Sequence, residues 1–144
     1  MRVTGTDAAA RIVERSRRDR SGELVFTIGT GCCESTAPFL YEDFWPGPDS
    51  ERVGEVAGVP VFAPEYLRAL YPAGDGVVID VDDAMAESMS IETEYGCRFV
   101  LRDQSGAAIE GQERDACEVP EAVSALRSRG AQQLPDALRR ARMR

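Results

Sequence analysis

The 144-residue sequence contains no histidine and no lysine. Without histidine there is no Ser-His-Asp or Cys-His catalysis and no imidazole metal ligand. Without lysine there is neither Schiff-base chemistry nor a phosphate-loop lysine. No apolar run approaches the roughly 18 residues of a membrane-spanning helix. The opening stretch, MRVTGTDAAARIVERSRRDR, has no apolar h-region, so no secretory signal is expected and a cytoplasmic setting is the default. No two cysteines have Cys-x-x-Cys spacing, which excludes a zinc ribbon and a thioredoxin motif. Internal repeats and low-complexity tracts are absent as well.

What remains is an ordinary globular composition, 43% hydrophobic, at a length that suits one core. The net charge of −8 disfavours nucleic acid, since phosphate contacts need a positive surface. All 17 basic residues are arginine, which fits codon bias in a GC-rich genome. They gather near the two ends of the sequence, at Arg11, Arg15, Arg17, Arg18 and Arg20 and again from Arg127 to Arg144, around an acidic middle. Solvated helix faces account for that pattern, and docking on an acidic partner is the sharper alternative.

Along the chain, Thr6 or Asp7 can cap a helix over 7–19, with Ala9, Ile12 and Val13 as its apolar stripe. The β-formers of 23–28 predict a strand, and a glycine-rich loop follows. A second strand is expected over 38–41, then a Pro/Gly loop over 42–50 with Trp45 as its anchor. Segments 52–56 and 59–62 flank Ala57-Gly58 as a hairpin. Pro64 opens a short helix over 65–70, whose apolar face is read as Tyr66 and Leu70. Strands are expected at 77–81, at 88–93 with Met89 and Ile91 on one face, and at 97–102. Residues 104–144 read as a polar linker plus short helices near 119–130 and 134–143. The fold class is α+β: a β-rich twisted mixed sheet or partial barrel over 1–103, with an N-terminal helix and one short internal helix.

With histidine and lysine gone, thiols lead the reactive groups. The four cysteines are Cys32, Cys33, Cys97 and Cys117. Adjacent residues in a strand point to opposite faces, so Cys32 and Cys33 can converge only in a loop, as Gly29, Gly31 and their neighbours predict. There they can offer two thiolates to a soft metal (Cu, Zn or Fe), with Cys97 as the candidate third ligand and Glu34, Ser35 and Thr36 shaping the site. Loop N–H groups would also lower a thiol pKa for redox or nucleophilic work. Against this stands the blander reading of cysteine as a small buried hydrophobe, the better account of Cys97, while Cys117 reads as an incidental thiol. The acidic run Asp80-Val81-Asp82-Asp83 lacks the spacing of a calcium loop and reads as a solvated strand end.

The stretches SGELVFTIGTGCCESTAPFLY, VGEVAGVPVFAPEYLRAL, VVIDV and SIETEYGCRFVLR resemble the bacterial family catalogued as domain of unknown function 779. Gly-Cys-Cys-acid-x-Ser/Thr-x-Pro is the most specific part of the resemblance. That family usually carries a further cysteine where this chain has Leu40. Its members are often encoded beside aldehyde dehydrogenases, so the resemblance implies an accessory protein with an aldehyde dehydrogenase as partner. Gly31-Cys32, the 58–70 stretch, Ile79-Asp80-Val81 and the 96–99 stretch more weakly resemble the A-type iron–sulfur carriers (HesB-like proteins). That second resemblance implies a carrier-like fold, without the C-terminal Cys-Gly-Cys of those carriers.

Three function classes follow. The first is a thiol-based accessory protein that binds a soft metal or cycles as a redox dithiol through Cys32-Cys33. The second is a non-catalytic docking module for a partner enzyme. The third is a cysteine-dependent enzyme, weakened by the missing histidine. Exposed strand edges also make a homodimer plausible.

Overall fold

The computed structural model describes residues 1–29, 36–71, 76–85 and 89–109. The chain runs β1 (Arg2–Gly5), α1 (Asp7–Asp19), β2 (Leu24–Ile28), β3 (Pro38–Glu42), β4 (Ser50–Val56), β5 (Val59–Pro64), α2 (Glu65–Leu70), β6 (Gly76–Asp82), a 3-10 helix (Ile91–Tyr95) and β7 (Arg98–Arg102). The strands form one mixed sheet in the order β3-β2-β5-β4-β1-β6-β7. It is the expected β-rich α+β fold, with the N-terminal helix and the short internal helix where the sequence predicts them.

α1 begins where Thr6 leaves β1: the Thr6 hydroxyl accepts the Ala9 N–H at 3.2 Å and donates to Asp80 of β6 at 2.8 Å. One side chain thus caps the helix and ties it to the sheet. Ala9 and Val13 enter the core, and Ser16, also buried, returns its hydroxyl to the Ile12 carbonyl. The basic face of α1 is used internally. Arg20 bridges Glu42 and Glu94, Arg15 lies 4.2 Å over the Tyr95 ring, and Arg17 reaches the Ala57 carbonyl at 2.7 Å.

Leu24, Phe26 and Ile28 of β2 point into one core with Leu40, Val61, Leu67, Ile79, Phe99 and Leu101. Phe26 and Phe99 meet edge to face at 4.9 Å, bringing the second strand of the sheet against its last. The sheet therefore curls, and its edge strands β3 and β7 approach each other with the 3-10 helix between them.

Several expectations are corrected. β1 has no counterpart in the sequence reading, yet it pairs in parallel with both β4 and β6. Only Val3 of its four residues is buried, so no hydrophobic pattern announces it. The segment expected as a strand over 88–93 is a 3-10 helix from Ile91 on. Met89 is exposed and Ile91 buried, so the two do not share a face. In α2 the buried residue is Leu67, while Tyr66 and Leu70 lie outside. Trp45 anchors nothing among the described residues: it is 73% exposed. The chain also packs beyond 103. Ile109 donates to Leu101 O at 2.8 Å and rests on the core, after a turn in which Asp103 accepts from Ser105 and Ala107. The helices expected near 119–130 and 134–143 lie outside the described residues.

Candidate functional site

β2 and β3 are an antiparallel hairpin, and the Cys-Cys segment is the connection between them. Cys32, Cys33, Glu34 and Ser35 lie outside the described residues, as does Cys117; the flanks of the pair are described. Gly29 takes φ +78, the left-handed conformation a glycine adopts without penalty, and its N–H donates to Ala37 O at 3.1 Å. Tyr66 of α2 donates its hydroxyl to the Gly29 carbonyl at 3.1 Å. On the other flank, Thr36 reaches the Ile109 carbonyl at 3.5 Å. Two separate parts of the chain thus hold the base of the cysteine connection.

Cys97 stands elsewhere. It follows Gly96, whose φ of +72 ends the 3-10 helix, and it precedes β7. The thiol is 5% exposed and points at the Glu92 carbonyl, 3.6 Å away. Burial pushes its pKa up, Glu92 and Asp83 push the same way, and Arg15 opposes them weakly. A thiol held protonated is a poor nucleophile and a poor ligand. From the contact of Phe26 with Phe99, the chain reaches Gly29 three residues on and Cys97 two residues back. β2 and β7 both run opposite to β6, so those steps lead to opposite ends of the sheet. At ~3.3 Å per residue, the separation along the strands is on the order of 16 Å. The structure does not bring Cys97 to the base of the cysteine connection.

In the acidic run Asp80 and Asp82 are tied down, while Asp83 is exposed at the strand end as expected. Arg102 bonds Asp80 and Asp82 at 2.7 Å each, and Arg98 lies 3.7 Å from Asp82. Burial alone would raise the Asp80 pKa, but the bonds from Arg102, Thr6 and the Val81 N–H together hold it below the usual carboxylate range. Carboxylates already matched to arginine leave little negative charge for a hard cation. Among the described residues, no group of three or more Cys, Asp or Glu side chains could hold a metal ion.

A pair that sequence reasoning passed over lies in the gap between the edge strands. Glu92 is 1% exposed and no cation is bonded to it among the described residues. Its carboxyl meets the Ser90 hydroxyl, and its other oxygen accepts the Phe99 N–H at 3.4 Å. Burial raises its pKa, and the bonds from Ser90 and Phe99 lower it by less. The only trace in the sequence is that two polar residues flank the buried Ile91, a pattern that also suits a strand with one wet face. Leu40, where the resemblance expects a cysteine, points into the core.

A family model described as a domain of unknown function (DUF779) matches residues 13–104, most of the chain. The chain belongs to the DUF779 family. The match takes in the second half of α1, the cysteine hairpin and every later strand, so the family shares the frame that carries Cys32 and Cys33. No curated protein matches this DUF779 member. No helix among its described residues is long and apolar enough to cross a membrane.

Proposed function

We propose that this DUF779 protein is a cytoplasmic thiol-based accessory protein. It works through Cys32 and Cys33, binding a soft metal (Cu, Zn or Fe) or cycling as a redox dithiol in support of an aldehyde dehydrogenase or a related enzyme. The observation that carries this reading is the bracing of both flanks of the cysteine connection, at Gly29 by Tyr66 and at Thr36 by Ile109. A connection held at both ends suits a segment that must present two thiols reproducibly. The alternatives among the described residues are weak: Cys97 is buried with a raised pKa, and the Asp80-Asp82 pair is neutralised by arginine. Cys97 then belongs to the packing of the core, and the working thiols are two. The partner class comes from the resemblance, which links this family to aldehyde dehydrogenase genes.

The test is elemental analysis of untagged protein purified without oxygen, with free thiols counted in the same sample. A stoichiometric soft metal that is lost in the Cys32→Ser, Cys33→Ser double variant supports the metal form. Reversible oxidation of one dithiol without metal supports the redox form. Four unreactive thiols and no metal would overturn both.

A docking module is the second reading, and the exposure of Trp45 favours it. It expects the double cysteine variant to keep all support of the partner enzyme and Trp45→Ala to lose it.

A further inference from the structure

The cysteine connection closes one end of the β2–β3 hairpin. At the other end Glu23 and Asp43 are bonded twice. Asp43 donates its N–H to the Glu23 carbonyl at 2.8 Å, and its carboxylate accepts the Glu23 N–H at 2.9 Å. Asp43 takes φ +51, a left-handed conformation that aspartate adopts more readily than most residues. The chain turns there and brings the Phe44 ring back against Tyr41, with 4.7 Å between centroids. Tyr41 in turn stacks on Phe39 at 6.1 Å. On the far side of the loop, Ser50 donates its hydroxyl to the Pro46 carbonyl at 3.0 Å and its N–H to the Gly47 carbonyl at 3.4 Å. The loop is thus held at both ends by bonds that do not involve Trp45. Phe44 is 41% exposed, and Trp45 stands further out still.

A large aromatic side chain on a braced loop is the form that interface anchors take, because little freedom remains to be lost on binding. The charge around this one defines what it suits. Strand alternation puts Glu23 on the same face as Val25 and Tyr41. Glu23 and Asp43 are both exposed, and no cation is bonded to either carboxylate among the described residues. Arg20, close by in the chain, is engaged by Glu42 and Glu94. Elsewhere the molecule completes the same combination of ring, acid and arginine by itself: Arg15 lies 4.2 Å over the Tyr95 ring, whose hydroxyl donates to Asp19. At Tyr41, Phe44 and Trp45 the rings and the acids are present without the arginine.

We propose that the aromatic loop end of the hairpin docks a basic, arginine-bearing segment of a partner protein. Guanidinium planes would lie on the exposed rings, their stems on the apolar surface and their charge toward Glu23 and Asp43. This deepens the docking reading by naming the chemistry of the partner, and it rests on that reading rather than on the cysteine pair.

Trp45 is the only tryptophan in the sequence, so its fluorescence reports on this loop alone. The probes are soluble peptides of one leucine–glycine framework whose variable positions are all arginine, all glutamine or all glutamate. The arginine peptide should shift Trp45 emission to the blue, shield it from acrylamide and bind about tenfold tighter than the glutamine peptide. The glutamate peptide should not bind. The double variant Glu23→Gln, Asp43→Asn keeps the bond between the two positions and tolerates the left-handed turn, and it should lose the preference for arginine. Glu14→Gln with Glu55→Gln removes the same charge elsewhere on the surface and should keep it. If the Glu23, Asp43 variant does not fold, Phe44→Ala is read instead and should lose the arginine peptide. Equal binding of the arginine and glutamine peptides would overturn the proposal. So would a preference that falls equally in both double variants, or Trp45 emission that shifts with protein concentration alone, which would make a second copy the occupant. Trp45→Ala that loses support of the partner enzyme, with no arginine preference in the natural protein, would leave the docking reading standing and overturn only the basic partner.

Discussion

Gly54 of β4 lies directly against the backbone of Val3: a Cβ added to Gly54 would stand 2.0 Å from the Val3 carbonyl oxygen. The pairing of β4 with β5 shifts between Arg52 and Gly54, and that irregularity presses the Gly54 backbone onto β1. Gly54→Ala cannot be relieved by a side-chain rotation, because the obstacle is main chain. It should destabilise the protein by about 2–3 kcal/mol, the scale of core overpacking. Urea unfolding checks this, and a midpoint within error of the natural protein would show that β1 is not held as described.

Thr6 serves two partners at once, the Ala9 N–H and Asp80. Thr6→Val keeps the shape and removes both bonds. A loss of about 1–2 kcal/mol is expected, with fraying at the start of α1. Amide exchange at Ala9 distinguishes this from a general loss of stability: it should quicken more than exchange at Val13.

The acid limb of the stability curve should come from Asp80 and Glu42. The Gly22 N–H and then Arg20 hold Glu42 below the ordinary carboxylate range, and Asp80 is held low by Arg102 and Thr6 against its burial. A depressed folded pKa means stability that is present above the unfolded pKa and lost as the pH falls through the folded one. Glu92 has the opposite sign. Its raised pKa gives stability that is full below the unfolded pKa and lost as the pH rises to the folded one. Urea midpoints against pH should thus lose part of their acid slope in Asp80→Asn. In Glu92→Gln they should lose a decline on the neutral side. The reverse pattern would show that the Arg102 bond and the burial of Glu92 are misassigned.

Cys97 should label only when the protein opens, because its thiol is buried against the Glu92 carbonyl. For a local opening cost of about 3 kcal/mol, alkylation would slow on the order of a hundredfold relative to the unfolded chain. Peptide mapping after timed iodoacetamide exposure reads this directly. Labelling of Cys97 at the rate of a free thiol would return it to the candidate metal ligands.

The elements legible in the sequence are those whose signals are local. α1 runs over the residues its cap and apolar stripe predict, and α2 follows Pro64 as expected. The hairpin of β4 and β5 turns at Ala57-Gly58, where both residues take positive φ. β1 is different. Four residues with one buried side chain are a strand only because β4 and β6 flank them on both sides. The 3-10 helix is different too, since the burial of Ser90 and Glu92 depends on β3, some fifty residues earlier in the chain.

The sequence by itself determined the family, the fold class, the lack of imidazole and amine chemistry, and the adjacency of Cys32 and Cys33. These are properties of composition and of short-range periodicity, which a chain carries before it folds. Only the tertiary structure decided that Cys97 lies at the other end of the sheet from Gly29, that Asp80 and Asp82 answer to Arg102, and that Glu92 is sealed beside Ser90. Strand order and direction set those distances, and burial, which governs proton affinity, belongs to the packed molecule rather than to any segment of it.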